Sequence, residues 1–333
     1  MNYNVASLFA GIGGIDLGFE KAGFKTVWAN DIDKYCEMTF NKNHTSTQLL
    51  IRDINQVNVS DIPYDVDVIA GGFPCQPFSI AGNRKGFDDD RGGLFFQIIR
   101  LLEQYKEKSK LPKVVFLENV KNLFKHDQGR TFYRMQKELE KFGYIVTSKI
   151  MNTSEYGNLP QNRERLFIVA FLGEKYIQNF EWPEKIKLTN TIDKLINWDD
   201  EVNKKYYYDE SSLIYPILKE NITEKNVVYQ YRRVYVRQNK AGIAPTLTAN
   251  MGMGGHNVPI ILDNMNRIRK LTPIECLMLQ GFDRDFRLPE KVADSRIYKQ
   301  AGNSVSIPVI YRIALNIKIA LQKGDAKDGN IKV

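Results

Sequence analysis

Cysteine and histidine are scarce in this sequence of 333 residues, and their scarcity argues against several kinds of site. Three cysteines at wide spacings form neither a disulfide framework nor a repeated Cys-x-x-Cys metal site, so we expect no metal. A Cys-His or Ser-His hydrolase would need one of three histidines, and none lies close in sequence to Cys75. The six residues are Cys36, Cys75, Cys276, His44, His126 and His256.

Long apolar runs are also missing. No stretch reaches the roughly 18 apolar residues of a membrane span, and the N-terminus has neither a basic region nor a cleavage site. We therefore expect a cytoplasmic protein without membrane contact. The net charge of +8 favours a polyanionic partner, although solubility alone would explain it equally well.

The first half of the chain alternates predicted strands and helices. Apolar runs at residues 5–9, 25–30, 66–70 and 113–117 each end at glycine, acidic or polar residues. Repeated units of this kind predict an α/β fold with a Rossmann-like, mainly parallel sheet, whose ligands bind beyond the carboxyl ends of the strands. Residues 181–266 instead predict a smaller, mostly β or irregular domain, and Ser306 and Pro308 predict the start of a returning helix.

A glycine turn follows the first predicted strand. Small residues at 10, 11, 13 and 14 let the backbone turn tightly and approach a ligand at the start of a helix. The spacing is not Gly-x-Gly-x-x-Gly, which argues against a nicotinamide dehydrogenase. Asp31 and Asp53 lie at the ends of the next two strands, where they could accept hydrogen bonds from a ribose and an adenine amino group. The turn alone could be structural, but the three features together favour a nucleoside-containing cofactor.

The loop at residues 71–79 presents Cys75 between two glycines and two prolines, too constrained for a helix. This context favours a nucleophile, whereas a buried, unreactive cysteine fits Cys36 and Cys276 better. Glu118 ends another strand, where burial would raise its pKa enough for proton donation; solvation is the alternative. Arg163 and Arg165 precede a strand at alternate positions and suit a phosphate or a developing oxyanion, unless they form surface ion pairs.

Two segments of the second domain suggest nucleic-acid contact. Residues 227–238 alternate so that five side chains would share one strand face, which suits a nucleic-acid backbone and bases; an exposed edge strand is the alternative. Residues 246–255 predict a flexible polar loop that could enter a groove. The five side chains are Tyr229, Tyr231, Arg233, Tyr235 and Arg237.

Taken together, the motifs resemble those of cytosine-5 DNA methyltransferases, in particular the compact bacterial enzymes of restriction-modification systems. They occur in that family's order and span nearly the whole chain. They are Phe9-Ala10-Gly11-x-Gly13-Gly14, Pro74-Cys75-Gln76, Arg91-Gly92-Gly93-Leu94-Phe95, Glu118-Asn119-Val120, Gln161-x-Arg163-x-Arg165, Arg269-Lys270-Leu271-Thr272-Pro273-x-Glu275-Cys276 and Gly302-Asn303-Ser304-Val305.

The resemblance implies an S-adenosylmethionine-dependent methyltransferase fold and a covalent mechanism on a cytosine flipped out of duplex DNA. Cys75 would attack the ring, Glu118 would protonate it, and Arg165, helped by Arg163, would bind its carbonyl. The implied donor-binding residues are Phe9, Ala10, Gly11, Gly13, Gly14, Ile15, Asp31, Ile32, Asp53, Ile54, Pro74, Leu94, Asn303 and Ser304. The implied DNA-binding residues are Gln76, Ser79, Arg233, Tyr235, Arg237, Thr246, Leu247 and Thr248.

The resemblance further implies a catalytic domain over residues 1–185, completed by residues 291–333, and a target-recognition domain over residues 186–290. Ile15 and Ile32 stand where the family usually has bulky rings, and Asp31 replaces a more frequent glutamate, so donor affinity is expected to be weaker. We expect a monomer, with a cognate restriction endonuclease acting on the same site. Rivals are a transfer-RNA methyltransferase of the same chemistry and a non-catalytic DNA-binding protein.

Overall fold

A computed structural model of the chain describes residues 2–62, 65–74, 93–199, 201–232, 234–240, 242–252 and 257–329. The strands are β1 (Asn4–Leu8), β2 (Lys25–Asp31), β3 (Leu49–Ile51), β4 (Val68–Gly71), β5 (Val114–Val120), β6 (Tyr144–Asn152), β7 (Glu164–Leu172), β8 (Tyr229–Arg232), β9 (Tyr235–Gln238), β10 (Ile260–Leu262) and β11 (Ile268–Lys270). The helices are α1 (Gly14–Lys21), α2 (Lys34–Asn43), α3 (Leu94–Glu107), α4 (Arg130–Glu140), α5 (Thr153–Tyr156), α6 (Glu174–Ile177), α7 (Tyr215–Asn221), α8 (Pro273–Met278), α9 (Asp294–Asn303) and α10 (Ile307–Gly329).

The chain divides into two compact units. The first comprises Met1–Met151, Glu164–Glu184 and Val309–Val333, and the second comprises Asn152–Arg163 and Lys185–Pro308. The sequence predicts donor binding by residues 1–185 and 291–333 and target recognition by residues 186–290. These functional assignments stay predictions.

A seven-stranded sheet organises the first unit, in the order β3-β2-β1-β4-β5-β7-β6. β1 runs parallel to β2 and β4, β2 runs parallel to β3, β4 runs parallel to β5, and β5 pairs with β7 antiparallel. The inner strands are apolar on both faces because helices cover both sides. The predicted α/β fold with a mainly parallel sheet is therefore confirmed.

Glycine permits the close approach of two helices in this unit. A Cβ atom on Gly18 of α1 would lie 2.4 Å from Cγ2 of Ile310 on α10, so only a hydrogen atom fits there. A helix was predicted after residue 306, and α10 begins at Ile307.

The second unit contains a four-stranded sheet in the order β11-β10-β8-β9 with antiparallel pairings. Its core joins buried side chains of the sheet to α7, including Leu218, Tyr229 and Ile260. The prediction of a smaller, mostly β or irregular domain is confirmed.

By length and composition alone, the stretch Asp294–Ala326 passes the test for a membrane-spanning helix. More than half of its apolar window, 56%, is buried inside the protein, which is the pattern of a core helix. Ser304 and Ser306 also lie in the break between α9 and α10.

Candidate active site

The glycine turn at the end of β1 adopts the left-handed backbone that its sequence predicts. Phe9, Gly11 and Gly13 have φ values of 54°, 58° and 85°. The Gly13 amide donates to the carbonyl of Ala10 at 2.9 Å and closes the turn before α1 begins at Gly14. A Cβ atom on Gly11 would meet nothing within 4 Å, so the main chain there can be approached closely by a ligand.

His44 fills the other side of this turn. A Cβ atom on Gly13 would lie 1.9 Å from Nε2 of His44, so glycine is required at this position for packing as well as for φ. The ring is buried and lies 3.3 Å from the carbonyl oxygen of Ile12. Burial lowers the pKa of His44 to about 4, so the ring is neutral at pH 7.

Asp31 ends β2 and contacts the glycine turn. Its Oδ2 accepts a hydrogen bond from the Gly11 amide at 2.8 Å, and its Oδ1 accepts one from the Asp33 amide at 2.8 Å. Burial raises the pKa of Asp31, while these amides partly lower it. The neighbouring Ile32 is 67% exposed, which places an apolar side chain in solvent beside a fixed carboxylate.

Asp53 follows β3, the strand next to β2. The main-chain amide of Arg52 donates to the carbonyl of Asp31 at 3.0 Å, so pairing between the two strands extends to the residue before Asp53. Oδ1 of Asp53 accepts from the amide and the side chain of Asn55 and caps the short 3-10 helix Ile54–Gln56. Ile54 itself is buried.

Glu118 and Arg165 form the best-defined polar pair at this edge of the sheet. Nε of Arg165 on β7 lies 3.1 Å from Oε1 of Glu118 on β5, and the two side chains are 15% and 10% exposed. A Cβ atom on Gly72 would lie 3.3 Å from Oε2 of Glu118 and 3.6 Å from Cδ1 of Ile15. Glycine at position 72 therefore leaves room for the carboxylate beside the segment that leads toward residue 75.

The end of β5 also holds that segment. Nδ2 of Asn119 donates to the carbonyl of Phe73 at 2.9 Å, and Pro74, the last described residue of the loop, is exposed. Leu94 begins α3 and is half-buried. Three predicted site residues, Cys75, Gln76 and Ser79, lie outside the described residues.

Arg163 has partners of a different kind from those of Arg165. It lies in the second unit and is 2% exposed, and Nη1 donates to the carbonyl of Leu247 at 2.8 Å. The same guanidinium also donates to the main-chain carbonyls of Gly302 and Ser304. The structure thus gives Arg163 the contacts of a buried brace around the predicted donor-binding residues Asn303 and Ser304, and its help to Arg165 at a substrate carbonyl stays a prediction.

The segment around Leu247, which accepts a hydrogen bond from Arg163, makes further contacts. Leu247 is 1% exposed and its amide donates to Oε1 of Gln161, while the Thr246 hydroxyl donates to the carbonyl of Asn162. A Cβ atom on Gly302 would lie 2.1 Å from the carbonyl carbon of Thr248. Main-chain packing therefore places residues 246–252 against α9 with Thr248 exposed, and the flexibility predicted for residues 246–255 stays a prediction.

The predicted single strand over residues 227–238 is wrong. Residues 229–238 form a hairpin of β8 and β9, and the Val234 amide donates to the carbonyl of Arg232 at 2.6 Å in the turn. Arg232 pairs directly with Tyr235, so the chain reverses in the middle of the predicted strand.

Because the chain reverses, the tyrosine and arginine side chains predicted to share one face lie on two faces. Tyr229 and Tyr231 are buried, at 1% and 8% exposure. Tyr235 and Arg237 lie on the opposite face of the hairpin, where both are exposed. Arg233 lies outside the described residues.

One buried acid of the first unit, Asp16, was not predicted from the sequence. Asp16 in the first turn of α1 is fully buried and accepts a hydrogen bond from the Ser7 hydroxyl at 3.0 Å. Its spacing of three residues from buried Phe19 puts it on the apolar face of the helix, a signal that was available in the sequence.

The fold and this site define an α/β methyltransferase. The chain belongs to the C-5 cytosine-specific DNA methylase family, which matches residues 3–319, and its activity is that of a DNA (cytosine-5-)-methyltransferase.

Two sequence relatives are similar over almost their whole length. The type II methyltransferase M.Bsp6I of Bacillus sp. (strain RFL6) is 50% identical over 316 residues, which cover 94% of this chain and 98% of that protein. The type II methyltransferase M.HhaI of Haemophilus parahaemolyticus is 37% identical over 327 residues, 94% of each chain.

Two solved structures share the fold. Dnmt2 methyltransferase of S. pombe superposes with a TM-score of 0.72 at 21% identity, covering 95% of this chain and 98% of its own. The Entamoeba histolytica methyltransferase EhMeth gives 0.73 at 20% identity, covering 95% and 98%.

Proposed function

We propose that this methyltransferase transfers a methyl group from S-adenosylmethionine to carbon 5 of a cytosine that is turned out of duplex DNA, through a transient bond to Cys75. The observation that carries the proposal is the Glu118–Arg165 pair beside Gly72, three residues before Cys75. A nearly buried carboxyl near the end of β5 and a guanidinium at the start of the antiparallel β7 suit a ring that needs both a proton and a bound carbonyl.

The donor fits the residues at the carboxyl ends of β1, β2 and β3. Gly11 allows close approach of the donor to the main chain, and Asp31 is held where it can accept hydrogen bonds from a ribose. Ile32 offers an exposed apolar surface to the adenine. When bound, the donor supplies an electrophilic methyl group on a sulfonium. The remaining residues that we assign to the donor are Phe9, Ala10, Gly13, Gly14, Ile15, Asp53, Ile54, Pro74, Leu94, Asn303 and Ser304.

The chemistry on the base follows from the poor nucleophilicity of cytosine at carbon 5. The Cys75 thiolate adds to carbon 6, and Glu118 donates a proton to nitrogen 3 so that negative charge does not accumulate on the ring. Arg165 binds the ring carbonyl and, through its 3.1 Å contact, orients Glu118. Carbon 5 then accepts the methyl group. Loss of the carbon 5 proton to a base, with return of the nitrogen 3 proton to Glu118, restores the double bond and expels Cys75 as the thiolate.

Duplex DNA is the proposed substrate, as the family of DNA methylases suggests. A base inside the stack cannot reach such a site, so the cytosine must turn out of the duplex at a cost of a few kcal/mol. The net charge of +8 suits this polyanion. We assign target recognition to residues 186–290, with Tyr235, Arg237 and Thr248 exposed there, and donor binding to residues 1–185 and 291–333. We further propose that the enzyme acts as a cytoplasmic monomer and is the modification enzyme of a restriction system, as the type II names of its relatives suggest.

A covalent trap tests the mechanism. Bisulfite sequencing of DNA from cells that express the protein first identifies the methylated site. A duplex with 5-fluorocytosine at that site is then incubated with enzyme and donor, because fluorine cannot leave carbon 5 as a cation and the adduct persists. The native protein and the control Cys36→Ala, which alters another cysteine of the first unit, are expected to form a complex that survives denaturing electrophoresis.

Cys75→Ala is expected to form no such complex. An adduct in that variant, or none in the native protein, would disprove the nucleophile. Methylation of transfer RNA instead of duplex DNA in a parallel assay would disprove the substrate.

A further inference from the structure

Arg100 on α3 makes an unusual number of contacts with one loop. Nη2 donates to the carbonyls of Ile54 at 2.9 Å and Val57 at 2.7 Å. Nη1 donates to Oδ1 of Asn58 at 3.3 Å, and Nε donates to Oε1 of Gln97 one turn earlier on the helix, at 2.7 Å. All the acceptors in the loop lie between residues 54 and 58.

A second side chain of α3 holds the same loop. Oε1 of Gln104 accepts from the Val59 amide at 2.9 Å, and its Nε2 donates to Oδ1 of Asn58 at 3.0 Å. Ile54, Val57 and Val59 are buried in the core cluster that also contains the apolar face of α3. The helix thus fixes this loop by polar contacts on one side and apolar contacts on the other.

The loop begins at a predicted donor-binding residue. Asp53 directly precedes the clamped carbonyl of Ile54 and caps the short helix that starts there. Its position is therefore set by the backbone that Arg100 holds. The Arg100 contacts are also charge-assisted, which makes them stronger than hydrogen bonds between neutral groups.

We propose that Arg100 is a positioning residue of the methyl-donor site: by holding the carbonyls of Ile54 and Val57 it keeps Asp53 where the carboxylate accepts a hydrogen bond from the donor's adenine amino group. The inference rests on the proposed use of S-adenosylmethionine and adds to it a residue that lies outside the motifs. Arginine is required because its planar fork spans several acceptors at once, which the point charge of lysine does not.

The test is a double-mutant cycle on donor binding. The dissociation constant of S-adenosylhomocysteine is measured by calorimetry for the native protein, Arg100→Ala, Arg100→Lys, Asp53→Asn and the double variant Asp53→Asn/Arg100→Ala. Asparagine at position 53 keeps an acceptor for the cap while removing the carboxylate. Glu103→Ala is the matched control, since Glu103 is an exposed residue of α3.

Arg100→Ala is expected to weaken binding about tenfold, Arg100→Lys less, and Glu103→Ala by less than about twofold. With plasmid DNA as substrate, the KM for the donor should rise while kcat at saturating donor changes by less than about twofold. In the Asp53→Asn background, Arg100→Ala should weaken binding by less than about twofold, because Arg100 affects the donor only through the carboxylate of Asp53. Thermal denaturation of each variant confirms that it is folded.

Equal binding by the Arg100 and Glu103 variants would overturn the inference, and so would independent, multiplying effects of the Asp53 and Arg100 substitutions. If Arg100→Ala does not fold, Arg100→Lys decides by the same criteria. Failure of the native protein to bind S-adenosylhomocysteine would instead overturn the proposed donor site and the inference with it. If Asp53→Asn binds S-adenosylhomocysteine as tightly as the native protein while Arg100→Ala binds it more weakly, the claim that Arg100 acts through Asp53 is overturned.

Discussion

Asp16 places a carboxyl group in the core beneath the glycine turn, and its ionisation should make stability depend on pH. The side chain is fully buried and is hydrogen-bonded to Ser7. Burial, followed by the nearby charge of Glu20, raises the pKa of Asp16 from 3.8 to about 7. Between these pH values the folded protein keeps a proton that the unfolded chain has lost, so rising pH lowers the free energy of unfolding.

The size of this effect follows from the change in pKa. At about 1.4 kcal/mol for each tenfold change in proton affinity, the Asp16 contribution falls by about 3 kcal/mol between pH 4 and pH 7, where the folded group is half titrated. His44 acts in the opposite direction, because burial lowers its pKa from 6.5 to about 4. Its contribution rises by about 3 kcal/mol over that interval, since the unfolded chain binds the proton there. In the native protein the two contributions largely cancel below pH 6.5.

Asp16→Asn removes one side of this balance while keeping an acceptor for Ser7. We expect the variant's free energy of unfolding, relative to the native protein, to increase by about 2 kcal/mol from pH 5 to pH 7. Urea denaturation at each pH measures the difference, and Glu103→Gln serves as a control on an exposed carboxyl. Parallel pH profiles for Asp16→Asn and the native protein would refute the reasoning, since Asp16 would then titrate alike in both states.

Three further substitutions test other contacts. Glu118→Gln should lower kcat about 10²- to 10⁴-fold while leaving S-adenosylhomocysteine binding within about twofold, measured with labelled donor and by calorimetry; full turnover would exclude proton donation by Glu118. Arg163→Lys should lower the free energy of unfolding by about 1.5–3 kcal/mol in urea, because lysine cannot span the Leu247 and Ser304 carbonyls together; unchanged stability would contradict the brace. Asp325 of α10 accepts hydrogen bonds from Lys113, Tyr176 and Tyr3; burial raises the pKa of Asp325, but these bonds lower it overall. Asp325→Asn should therefore cost about 1–3 kcal/mol at pH 7, and the loss should shrink in acid urea titrations as native Asp325 becomes protonated; a loss independent of pH would contradict this.

The parallel part of the sheet was predictable because β1, β2, β4 and β5 are short, largely apolar runs followed by glycine, acidic or polar residues. The predicted strand at residues 25–30 is β2, Lys25–Asp31, and the glycine turn and Asp31 follow β1 and end β2 as expected. Burial on both faces makes such runs conspicuous in a sequence. The side-chain pairing of Glu118 with Arg165 was less accessible, because it depends on the antiparallel register of β5 and β7.

The alternating pattern of residues 227–238 predicted one face of a single strand, but residues 229–238 form the hairpin of β8 and β9. In the hairpin, residues directly opposite each other share a face, so Arg232 lies with Tyr235 and Tyr231 with Val236. The turn changes which residues fall on the buried side, and the four described residues assigned to one face divide between two. Residues 232–235 contain neither glycine nor asparagine, so the usual signal of a tight hairpin turn is missing from the sequence here.

The two arginines of the Gln161-x-Arg163-x-Arg165 motif illustrate the same limit within a catalytic signature. A spacing of two aligns side chains only if both residues belong to one strand, and β7 begins at Glu164, between them. Arg165 is inside the strand and reaches Glu118, whereas Arg163 precedes it and is enclosed by carbonyls of the second unit. A buried guanidinium with these main-chain acceptors holds parts of the chain together, so its substitution should lower the free energy of unfolding. A motif of this kind therefore contains one residue suited to chemistry and one suited to holding the chain, and only their partners distinguish them.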